Sequence, residues 1–187
     1  MEIKATDVAK LRKMTGAGMM DCKNALVESN GDFERAQEII REKGKLVAAK
    51  RADRETTEGS VIAITNEKKD RAILVCLGCE TDFVAKNKEF QDLAMGIARK
   101  ALEHFPGNLE ALLNLPYEDS TIADAVTRQT GKSGEKHVVA FYSRLEAPYM
   151  GSYIHMNNKV ATIVGFSKPI PAEAAKEIAM QITAMVP

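Results

Sequence analysis

Along the first forty residues, apolar positions recur at helical spacing and do not alternate. Val8 and Leu11 follow Thr6, a candidate N-cap, and Cys22, Ala25 and Leu26 sit at i, i+3 and i+4. Ala36, Ile39 and Ile40 repeat that spacing after a start at Asn30-Gly31-Asp32. Each stripe is narrow, so none of the three helices is stable alone. Thr15-Gly16-Ala17-Gly18 and Asn30-Gly31 separate the helices, and Gly44 is placed to end the third. The spacing therefore predicts a three-helix bundle over residues 1–44. The basic, helix-favouring run Lys45-Leu46-Val47-Ala48-Ala49-Lys50-Arg51-Ala52-Asp53-Arg54, with the polar residues after it, reads as a linker over 45–58.

From Gly59 the period changes. Val61–Thr65 and Arg71–Cys79 read as strands joined through Asn66-Glu67-Lys68-Lys69-Asp70, a hairpin. Phe90, Leu93, Ala94, Ile97, Ala98, Ala101, Leu102 and Phe105 then mark a long amphipathic helix, with Asn87 as N-cap and Pro106-Gly107 as the stop. A leucine cluster and a short helix over Thr121–Gln129 fill the stretch before strands resume at Val138–Leu145. Gly151-Ser152 opens a second hairpin turning near Asn157-Asn158, and a helix carries Ala175, Ile178, Ala179, Ile182 and Met185. This repeats the unit that begins at Gly59-Ser60. The expected class is α+β: a helical bundle, then a core of two related hairpin-plus-helix subdomains over 59–136 and 137–187, each helix covering its own hairpin. The last residues, Met185-Val186-Pro187, follow directly on an apolar face, so a longer chain is expected.

Composition narrows the function classes. The 187 residues are 45% hydrophobic and 28% charged, enough for a real core, and no run approaches the roughly 18 apolar residues of a membrane span. Without a signal-like apolar segment at the start, the expected compartment is the cytoplasm. Basic and acidic residues balance at 26 each, so no whole-chain field draws the protein onto nucleic acid or membrane. Residues 1–54 hold 12 basic against 9 acidic side chains, too small a surplus to imply nucleic acid. Three cysteines fit a reducing compartment.

No catalytic set emerges, so an enzyme is not expected, and neither is a cofactor or metal. In a strand, Cys76 and Cys79 point to opposite faces and cannot converge on zinc or form a redox pair. Gly131-Lys132-Ser133 lacks the upstream glycine and strand of a phosphate-binding loop and reads as a polar loop. His104, His137 and His155 lie in unlike contexts. Two features stand out. Met19 and Met20 at a glycine-rich helix junction pack inward or offer an adaptable contact surface, and pattern slightly favours the core. Phe83, in Glu80-Thr81-Asp82-Phe83-Val84-Ala85-Lys86, folds back as a hydrophobic staple or projects as a probe, and pattern favours the staple.

Residues 15–26, Thr15-Gly16-Ala17-Gly18-Met19-Met20-Asp21-Cys22-Lys23-Asn24-Ala25-Leu26, and residues 79–86, Cys79-Glu80-Thr81-Asp82-Phe83-Val84-Ala85-Lys86, resemble the two signature segments of the bacterial elongation factor Ts family. The likeness extends through Gly151-Ser152-Tyr153-Ile154-His155 and Ile178-Ala179-Met180. It implies a ubiquitin-associated-like bundle, a linker and a two-subdomain α+β core. It also implies guanine nucleotide exchange on the GTPase elongation factor Tu. By resemblance, Leu11, Arg12, Met19 and Met20 lie on the contact with the GTPase's nucleotide domain, Thr81, Asp82, Phe83 and Val84 approach its magnesium site, and His155 faces its third domain. The resemblance implies no nucleic-acid or membrane partner and leaves the oligomeric state open. The alternative is a non-catalytic adaptor that binds a partner through the bundle; it has no reason to carry the Thr81–Val84 segment.

Overall fold

The computed structural model describes residues 3–185, with Asn157 by its backbone alone. Three helices come first: α1 (Ala5–Thr15), α2 (Met19–Glu28) and α3 (Phe33–Lys50). Strands β1 (Glu58–Thr65) and β2 (Arg71–Cys79) follow, then the one-turn α4 (Asp82–Ala85), α5 (Lys88–His104) and α6 (Leu109–Leu113). A small ladder of β3 (Pro116–Tyr117) and β4 (Ser120–Thr121) leads into α7 (Ile122–Ser133) and β5 (Val138–Glu146). The chain continues with β6 (Tyr149–Ile154), a 3-10 turn (Met156–Asn158), β7 (Ala161–Phe166) and α8 (Ala172–Met185). The mixed α+β class read from the pattern is the one observed. By contacts the residues fall into two units, 1–54 with 127–136, and 55–126 with 137–187.

The first unit is built on the apolar stripes. Val8, Leu11, Ala17, Cys22, Ala25, Leu26 and Ala36 are buried together, with Ile3, Phe33, Ile39 and Ile40 packed against them. Gly16 ends α1 in the left-handed region (φ 68), where its amide donates to the Arg12 carbonyl at 2.7 Å. Thr6 lies inside the first turn of α1 rather than capping it, because the helix starts at Ala5. Asp32 does cap α3, its carboxylate accepting from the Arg35 amide at 3.0 Å.

Gly44 does not stop the third helix. It is a buried position inside α3, which runs on to Lys50, so the first part of the expected linker is helical. Its role is steric: a Cβ on Gly131 would lie 2.7 Å from the Gly44 Cα. Backbone of α7 and backbone of α3 thus meet where neither has a side chain. Gly131-Lys132-Ser133 is accordingly the last turn of α7 and not a polar loop. That helix is longer than the Thr121–Gln129 stretch read from sequence, and it starts from a reciprocal cap in which Thr121 Oγ1 accepts from the Asp124 amide and donates to its carboxylate.

In the second unit an antiparallel sheet runs in the order β1-β2-β5, with a register shift between Cys76 and Leu77 where β5 bulges. Strand β5 therefore joins the first hairpin instead of the second. Ile73, Val75, Leu77 and Cys79 alternate onto the face that packs with Phe90, Ala94, Ile97, Ala98 and Ala101 of α5. Helix α5 is capped by Asn87, whose side chain accepts from the Glu89 amide at 2.8 Å, and it ends at Phe105, as the pattern indicated. The second hairpin, β6-β7, is a separate two-stranded ladder covered by α8 and packed on β1 and β2.

The glycine contact yields an asymmetric expectation. A Cβ at Gly44 would meet its neighbours at 3.8 Å, ordinary contact, whereas at Gly131 it drives into backbone. Gly131→Ala is expected to destabilise the chain by about 1–3 kcal/mol through overpacking. Gly44→Ala should be neutral or gain up to about 1 kcal/mol of helix propensity. Urea denaturation of both variants checks this; equal losses would contradict it.

Candidate functional site

The segment that follows β2 is fixed at both ends by burial. Cys79, in the core, donates its thiol to the Thr81 carbonyl at 3.2 Å, and Ala85 closes α4 against the same core. Thr81 caps the turn: its hydroxyl accepts from the Val84 amide at 3.5 Å and its carbonyl from the Ala85 amide at 3.2 Å. Gln91 of α5 donates to the Ala85 carbonyl at 3.3 Å, tying the turn to the next helix. Val84 packs on the core edge. Between these anchors Phe83 is 83% exposed. It is a probe and not a staple, because Val84 and Ala85 already occupy the inward face of the single turn.

Charge around Phe83 is organised. Asp82 accepts from the Lys86 ammonium at 2.6 Å, one turn on. That bond, with further attraction from Lys86 and from Lys159, holds the Asp82 carboxyl below its usual range against a smaller opposing desolvation. Lys159 comes from the 3-10 turn after β6, which packs on β1, and pairs with Glu58 at 2.8 Å. Glu58, and then Asp82, push the Lys159 ammonium above its usual range. Glu58 opens β1 directly opposite Cys79, so the sheet register brings the turn and α4 to one end of the sheet. Asn158 adds a 3.4 Å bond from its side-chain amide to the buried Ser60 hydroxyl.

Comparison with known proteins agrees with this architecture. The family described as Elongation factor TS matches residues 80–187. Proteins named Elongation factor Ts from Porphyromonas gingivalis and Christiangramia forsetii are 52% and 48% identical, in each case over the whole chain and 68% of the relative. One from Bacteroides fragilis is 48% identical over the whole chain and 56% of its own length. The chain belongs to the elongation factor Ts family. It is thus one of the translation elongation factors.

The other positions that the elongation factor Ts resemblance singled out are scattered by the structure into different roles. Leu11 is fully buried in the bundle core, so it supports α1 and offers no contact surface. Arg12, next to it, is exposed. Met19 and Met20 begin α2 and are 53% and 63% exposed, which corrects the leaning toward a core role: Cys22, Ala25 and Leu26 fill the inward stripe. His155 is exposed at the start of the 3-10 turn; its Nδ1 lies 3.3 Å from the Tyr153 hydroxyl, and its amide donates to the Val160 carbonyl.

Cys76 and Cys79 do face opposite ways: Cys79 belongs to the α5-facing core, and burial pushes the Cys76 thiol up, away from thiolate chemistry. Among the described residues no three His, Cys, Asp or Glu side chains gather as metal ligands, and no helix is long and apolar enough to cross a membrane. Sequence reasoning missed Lys159 and Glu58. Lys86 was legible as the i+4 partner of Asp82, whereas Lys159 lies in another hairpin with no local signal.

Exposure and charge give two expectations here. Phe83→Ala should leave stability within about 0.5 kcal/mol of the parent, as surface substitutions do. Lys86→Gln should raise the Asp82 titration midpoint, followed by carboxyl NMR. The sign follows from the lowered native value: the Asp82 pairing contributes above the unfolded midpoint and is lost as pH falls through the native one.

Proposed function

We propose that this chain is a guanine nucleotide exchange factor for elongation factor Tu, promoting release of GDP during translation elongation. The observation that carries the reading is a large apolar side chain, Phe83, held almost fully in solvent on a turn whose ends are buried. Exposure alone is common for surface apolar residues, but here it falls within the Cys79–Lys86 segment that resembles the family's signature, on a turn fixed at both ends, where an aromatic is suited to anchor a contact.

The GTPase holds its nucleotide through magnesium and the backbone amides around the phosphates, so a factor that disturbs this loop weakens the strongest charge interactions together. Thr81 caps the turn, Val84 seats it on the core, Phe83 wedges between partner helices, and Asp82 disturbs water or side chains that support the partner's metal without ligating it. Met19 and Met20, with Arg12, supply a second, adaptable contact on the bundle. Coupling is reciprocal, so the nucleotide-loaded GTPase binds the factor less tightly and releases it for another cycle. The chain performs no bond chemistry of its own in this scheme, and it acts in the cytoplasm, where elongation proceeds.

The test is release of fluorescent GDP from purified elongation factor Tu, chased with unlabelled nucleotide, with substoichiometric amounts of this chain. Acceleration by orders of magnitude with turnover supports the proposal. Tight binding without acceleration favours the adaptor.

In that assay Phe83→Ala should slow exchange about thirtyfold, corresponding to the ~2 kcal/mol of a buried aromatic anchor, while affinity falls much less. Equal losses of both would remove the wedge role. Met20→Ala should do the reverse, weakening association measured by titration calorimetry while leaving the rate at saturation unchanged.

A further inference from the structure

Helix α2 begins without the side-chain cap that α3 has. Asp32 closes the start of α3, but the N-cap of α2 is Gly18, which has no side chain to offer, and its first turn is left open to fraying. Packing holds only the two ends of this segment. Ala17 and Cys22 are buried, and the Cys22 thiol donates to the Ala17 carbonyl at 3.7 Å, while Gly18, Met19 and Met20 between them are exposed. The two methionines stand on backbone that the core does not reach.

Asp21, the third residue of α2, supplies the missing tie. One of its carboxylate oxygens accepts directly from the ammonium of Lys43, which comes from α3, 22 positions away in the chain. The other oxygen lies 3.7 Å from where a Cβ on Gly18 would stand, so the carboxylate reaches back across the turn that bears Met19 and Met20. Negative charge in the first turn also suits the positive end of the helix dipole. The backbone that carries Lys43 is fixed in turn, because the next residue is Gly44, buried within α3 where Gly131 of α7 lies against it. Asp21 is therefore held from a second helix, and through it the start of α2 is tied across the bundle.

We propose that Asp21, held by Lys43, is a positioning residue that keeps the first turn of α2 wound and so fixes the direction in which Met19 and Met20 meet the partner. The partner half of this inference rests on the function proposed above. The winding of the turn does not. Asp21 and Lys43 act through the two methionines and need no contact of their own with the GTPase.

Two measurements on the full chain test it. The Cys22 amide donates to the Gly18 carbonyl at 3.0 Å and so reports whether the first turn is closed. In amide hydrogen exchange, Lys43→Ala should speed exchange at Cys22 by about two- to fivefold, the range spanned by exposed charge pairs, and Lys43→Arg should stay near the parent. An unchanged rate at Cys22 in Lys43→Ala overturns the inference. So does an acceleration shared equally by the amides of α1, which would mean that the pair only stabilises the bundle. In titration calorimetry with elongation factor Tu, Lys43→Ala should weaken association by a similar factor and leave the exchange rate at saturation unchanged. On a chain already carrying Met19→Ala and Met20→Ala the same substitution should cause no further loss. Losses that multiply would mean that Lys43 does not act through the methionines and would overturn the inference. If the parent chain fails to bind elongation factor Tu, the functional reading falls, while hydrogen exchange still decides whether the pair keeps the turn wound.

Discussion

Strand β2 has to be buried on both faces, and the rest of the second unit follows from that requirement. Its run Ala72-Ile73-Leu74-Val75-Cys76-Leu77 has no polar side to give to water. One face is taken by α5 and the other by the β6-β7 hairpin, while β1 and β5 occupy its two edges. Its position along the sheet is set by its two edges, where the β1 ladder and the bulged β5 ladder assign each residue its partner. The end of β2 is therefore a fixed point, and the segment from Cys79 to Ala85 leaves it in a set direction. The start of β1 is fixed by the same register, which is why Glu58 and α4 come to the same end of the sheet.

Much of this was legible from residue pattern. Helix α5 satisfies its period over four turns and has an asparagine cap and a Pro-Gly stop, so local and global preferences agree. The two hairpins were visible because each has a strand-length apolar run after Gly-Ser. What pattern could not settle was direction within a single turn. For Phe83, Met19 and Met20, inward and outward positions differ by one or two residues, and in so short a helix the period has no length over which to declare itself.

Glycines misled for a related reason. Gly44 looks like a helix stop because its propensity is poor, and the long-range partner that makes it useful, Gly131, lies 87 positions away by the sequence numbering. The contact between them also converts Gly131-Lys132-Ser133 from an apparent loop into a helical turn. Lys159 belongs in the same category. Its meaning depends on sheet register and on the folding back of a second hairpin, and both are properties of tertiary structure with no local trace.

The rigid mounting of Phe83 has a thermodynamic side. The backbone of α4 is ordered when the chain folds, held by the Cys79 and Gln91 bonds at its ends, so no loop has to be organised when a partner arrives. Phenylalanine has only two side-chain torsions left to restrict. An association made through Phe83 would therefore lose little conformational entropy at that point of contact. An exchange factor of the kind proposed, taking up and leaving its partner many times, would gain from such economy. In the proposed scheme the strength of association lies mainly with Met19 and Met20, so the turn that carries Phe83 is left to act on rate.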